Sequence, residues 1–89
     1  MNIEERIDKR ISEIEMEMYQ TLVLAEGDMQ DASEDIASVN DTFQKYQMFT
    51  ARLGVLDKHR RELADRSRDI RALLNVKSIL KEKENNGEP

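Results

Sequence analysis

The stretch Ala51–Arg61, ARLGVLDKHRR, decides the fold. Apolar residues at helical spacing run up to it and away from it, and Gly54 stands between the two runs. If Gly54 ends one helix and Asp57 caps the next, the chain is a three-helix bundle with elements of roughly 24, 24 and 26 residues. If one helix passes through, the fold is a hairpin with a long second arm. Continuity is favoured, because Gly inside a helix costs only about 1 kcal/mol relative to Ala. A new helix would also place Lys58, His59, Arg60 and Arg61 in its first turn, where positive charge opposes the helix dipole. The expected fold is therefore all-α, a helical hairpin with a long second helix and coiled-coil-like packing. The bundle broken at Gly54 is the alternative.

Toward the N-terminus, Ile7, Ile11, Ile14, Met18, Leu22 and Ala25 recur in steps of three and four and form one stripe of a helix over 3–26. The Gly27–Asp28 pair then predicts a tight reversal, with Gly27 past the helix end and Asp28 capping the second helix. Asp31, Glu34 and Asp35 would put negative charge at the positive end of the new helix dipole. The second helix is expected over 29–82, along Ala32, Ile36, Val39, Phe43, Tyr46, Thr50 and Leu53. Beyond it, Leu56, Leu63, Ile70 and Leu74 continue the line with a slip of phase beside Gly54. Residues 1–83 form one domain, and 84–89, without apolar content, are expected to be a disordered tail.

Composition agrees with helices and narrows the class. Of 89 residues, 37% are charged and 4% aromatic, and the single proline and three glycines leave few chain breakers. The absence of cysteine excludes disulfides and cysteine-based zinc sites. The start, MNIEERIDKR, is too charged for a signal peptide, and the longest apolar run, LVLA, cannot span a bilayer, so a soluble cytoplasmic protein is expected. Charge is divided unevenly. Residues 1–49 carry twelve acidic and four basic side chains, whereas residues 50–89 carry seven and ten. Such a split suits antiparallel or head-to-tail association of copies, or two different partners at the two ends.

The segment Leu56–Leu74, LDKHRRELADRSRDIRALL, holds the candidate site. On a helix, the rows Asp57–Arg61–Asp65 and Lys58–Glu62–Arg66 neutralise themselves. Arg60, Arg68 and Arg71 are left over, with Arg71 about 20° and Arg68 about 80° from Arg60. They border the apolar line of Leu56, Leu63, Ile70 and Leu74, the layout of a helix that docks on another helix. With a first helix of about 36 Å against a second of about 80 Å, that line would have no partner within its own chain. A second polypeptide is expected to cover it, making a homo-oligomer, with a dimer the simplest form. The acidic edge of the first helix, Glu4, Asp8, Glu15 and Glu26, could set the register between copies through these arginines.

Other chemistry is weakly supported. His59 stands alone among cations, without a second ligand or nucleophile beside it. The acids of DMQDASEDIASVND lack the order of a calcium loop, and no phosphate-binding glycine loop or catalytic motif occurs. No catalytic, cofactor or metal site is expected. Nucleic-acid binding through the basic half is disfavoured, because carboxylates interleave the cations and no aromatic lies among them to stack a base. Phe43, Tyr46 and Phe49 can share one face, either as core against Met18, Tyr19 and Leu22 or as a recognition surface. The expected function is a non-enzymatic protein-binding module, an adaptor, inhibitor or assembly factor. A self-associating scaffold subunit is the alternative.

Overall fold

A computed structural model describes residues 2–86, with side chains through Glu84. It is an all-α hairpin: α1 spans Ile3–Ala37 and α2 spans Thr42–Asn86, packed antiparallel into a rod of 74 × 20 × 12 Å. α2 runs through Gly54 without interruption, so the three-helix alternative is excluded.

The reversal lies eleven residues beyond the expected one. α1 passes through Gly27 in ordinary helical geometry, and neither described glycine adopts a positive φ. A glycine permits a helix to end but does not force it, and its cost of about 1 kcal/mol is small against the packing of a whole helix face. The chain turns instead at Ser38–Asp41, where side chains satisfy the helix ends. Ser38 donates both its N–H and its hydroxyl to the Asp35 carbonyl, at 3.2 and 2.6 Å. The Asp41 carboxylate accepts from the Gln44 N–H at 3.0 Å at the start of α2. Lys45 reaches back across the turn and donates to the Ile36 carbonyl at 2.7 Å, placing positive charge at the C-terminal end of α1. At the other end, the Asn2 side chain accepts from the Glu5 N–H at 2.8 Å.

Moving the turn changes what faces what. The α1 seam is Ile7, Ile11, Ile14, Met18, Thr21, Ala25, Asp28, Ala32 and Asp35, in unbroken steps of four and three. Leu22 is not in it: Thr21 is half-buried in the seam, while Leu22 stands 52% exposed. The α2 seam is Arg52, Leu56, His59, Leu63, Arg66, Ile70, Leu73, Lys77 and Leu80, with the same regular steps. No phase slip occurs at Gly54. The apparent slip arose from following leucines, whereas polar residues occupy several seam positions. The expected tail also shortens: residues 84–86 are the last helical residues of α2, and 87–89 lie outside the described residues.

The core is graded along the rod. Ile7, Ile11 and Ile14 are buried near the open end, each contributing roughly 1.5–3 kcal/mol of transfer free energy. Toward the turn the buried α1 residues shrink to Ala25 and Ala32. There the seam is crossed by polar pairs: Asp35 with Arg52, and Asp28 with His59 at 2.7 Å. Further along, Arg66 pairs with Glu17 at 2.9 Å, and Lys77 with Asp8 at 2.7 Å. The hydrogen bond to the Asp8 carboxylate raises the Lys77 pKa above its ordinary value.

Candidate protein-docking surface

Two helices side by side form a layer with two broad faces, and the faces differ. On one, at the turn end, small Ala32 leaves a groove of about 500 Å³. Met29, Ser33 and Ile36 of α1 and Phe49, Arg52, Leu53 and Leu56 of α2 line it. A shallower depression bordered by Leu53, Leu56, Asp57 and Arg60 continues it along α2. Seven residues before Met29 on the same helix row lies exposed Leu22, and about three turns before it exposed Tyr19. On the opposite face, a depression between the helices is bordered by Arg10 and Asp69. The opposite face exposes apolar side chains too, with Leu24 two heptads beyond Arg10 and Val55 and Val76 on the Asp69 row, so the turn-end face is distinguished by its open apolar groove and not by exposure alone.

The expected partner residues are divided by this geometry. Leu56, Leu63 and Ile70 are half-buried along the seam with α1, so they are not the unpartnered line that a short first helix implied. With α1 reaching from Ile3 to Ala37, the C-terminal half of α2 is covered within the chain, as the Lys77–Asp8 pair shows. Leu74 is exposed, and Leu56 lines the groove. Arg60 and Arg68 are not left over: they pair with Asp57 and Asp65 on α2, each at 2.8 Å. Both pairs are solvent-exposed and contribute little. Arg71 makes no ion pair among the described residues.

The aromatic trio is not core. Phe43 and Tyr46 are 64% and 62% exposed, because the turn places them beside the end of α1 and far from Met18. Phe49 belongs to the groove. The sequence pattern hides the groove's α1 wall, because a turn at Gly27 puts Met29 and Ile36 on the second helix. The signal that would have found it is Asp41-Thr-Phe-Gln44, an acidic cap three residues before Gln, which marks the true start of α2.

Electrostatically, the helices are opposed. α1 carries eleven acidic and three basic side chains, a net −8. α2 carries eleven basic and six acidic ones, a net +5 with His59 neutral. Among the described residues, no three histidine or carboxylate side chains are placed to hold a metal ion, and neither helix is long and apolar enough to cross a membrane. No protein-family profile, curated protein or solved structure matches the chain.

Proposed function

We propose that the chain is a non-enzymatic protein-interaction module, an adaptor, inhibitor or assembly factor that docks partner helices on the apolar face beside its turn. The observation that carries this reading is the convergence of Met29, Ile36, Phe49, Leu53 and Leu56 on one open groove. A two-helix layer buries little of its own surface, and this face is where a further helix finds the most apolar contact. Burial of the groove residues supplies affinity. Arg60 beside the groove, and Arg71 farther along α2, supply orientation and speed of encounter. Leu74 extends the apolar edge, Leu63 and Ile70 hold the seam beneath it, and Arg68 lies toward the outer side of α2.

A photo-crosslinking amino acid at Leu53, compared with one at outward-facing Ala51, tests the reading in living cells. Leu53 is expected to give a defined crosslinked protein, either a foreign chain or a second copy, and Ala51 none. Equal or absent crosslinking at both positions would remove the assignment.

A further inference from the structure

We infer that the occupant of this face is a second copy of the chain. Two hairpins pack with their turns at the same end, making an antiparallel four-helix bundle in which each acidic α1 lies between two basic α2 helices. The inference rests on the docking reading above and names its partner.

The exposed area calls for a large partner. The hairpin exposes 7052 Å², against about 5,400 Å² expected for a compact monomer of this mass. If each of two copies covered the excess, the interface would total roughly 3,000 Å², within the range of obligate homodimers.

Charge selects the partner and its orientation. A net −8 on α1 and +5 on α2 make α1 beside the partner's α2 attractive and α1 beside α1 repulsive. Of the two-fold arrangements that join these faces, the one about the long axis sets α1 over α2 and brings the turns together. The one about the short in-plane axis sets α1 over α1 and sends the turns to opposite ends.

Side chains on the face agree. Glu26 lies one heptad before Ser33 of the groove wall, and Glu15 two heptads before Met29. Neither makes an ion pair among the described residues, and nor does Arg71, two heptads beyond Asp57 on the facing row of α2. With turns together, Glu26 comes level with Arg60, and Glu15 with Arg71, of the other copy. With turns apart, Glu15 and Glu26 of one copy approach the same carboxylates of the other. Only the first arrangement also stacks groove on groove, joining Phe49 and Leu53 of both copies to Met29 and Ile36.

The chain has no cysteine, so single cysteines can carry dyes. Asn40→Cys marks the turn and Lys9→Cys the open end. The proposal expects a solution mass of twice 10.4 kDa. It also expects strong energy transfer between copies labelled at position 40, and weak transfer when one copy carries dye at 40 and the other at 9. The reverse pattern, with the turns separated by most of the 74 Å rod, overturns the orientation. A monomer overturns self-association, and a higher multiple overturns the two-copy bundle. The docking reading would survive a monomeric result if Leu53 crosslinked a foreign protein, and would fall with it if nothing was captured.

Discussion

Asp28 and His59 meet across the hairpin seam, carboxylate Oδ2 to imidazole Nε2 at 2.7 Å, although 31 residues separate them in the chain. They form one of several polar layers along the seam, with Asp35–Arg52 nearer the turn and Asp8–Lys77 nearer the open end. Polar seam positions cost stability relative to apolar ones, and in each of these layers the acid lies on α1 and the base on α2.

The Asp28–His59 layer predicts a particular pattern of stabilities. The His59 Nδ1 atom is buried without a partner among the described residues. Replacing both groups, as Asp28→Leu with His59→Leu, is expected to stabilise the hairpin by about 1–4 kcal/mol. Asp28→Leu alone leaves the imidazole without its acceptor and is expected to cost about 1–3 kcal/mol. Chemical denaturation of the three proteins checks both signs.

Gly27 and Gly54 lie inside helices, and a Cβ at either meets nothing within 4 Å. Gly27→Ala and Gly54→Ala are each expected to stabilise by about 0.5–1 kcal/mol. A loss of stability in Gly27→Ala would point to a turn at that position.

The true turn makes the opposite demand. Asp41→Ala removes the acceptor of the Gln44 N–H and is expected to cost about 0.5–2 kcal/mol. Thermal unfolding followed by circular dichroism measures it.

Lys77 provides a pH signature. Its pKa is raised by the hydrogen bond and charge of Asp8, with Glu4 adding a smaller attraction. A raised pKa means that folding favours the protonated amine. The stabilisation is therefore fully present below the ordinary lysine pKa and disappears as pH rises through the raised value. The melting-temperature difference between the natural chain and Lys77→Met should hold constant through neutral pH and shrink in strong alkali. A difference that grew with alkalinity would contradict the pairing.

Much of the architecture was legible in the residues. The isoleucine steps at 7, 11 and 14 identified the first helix and its buried side, and the low cost of an internal glycine kept α2 whole. The turn is harder to read, because Gly27–Asp28 resembles a helix stop, while Ser38–Asp41 contains no glycine and ends its helix through side-chain and backbone caps. The α2 seam was obscured because Arg52, His59, Arg66 and Lys77 lie in it. Long cations can bury their stems and still reach a carboxylate, so an apolar-only reading steps over them. The groove could not be seen until the turn was placed, since Met29 and Ile36 reach Phe49 and Leu53 only around Ser38–Asp41.

Methionine oxidation tests most directly whether the turn-proximal face is covered in solution. In a lone hairpin Met29 and Met16 are similarly open, at 52% and 59% exposure, but only Met29 lines the groove. Hydroxyl-radical footprinting of the intact chain, at concentrations where copies associate, should oxidise Met29 several-fold more slowly than Met16. Similar rates for the two residues at every concentration would show the groove open to water and leave the proposed docking face without an occupant.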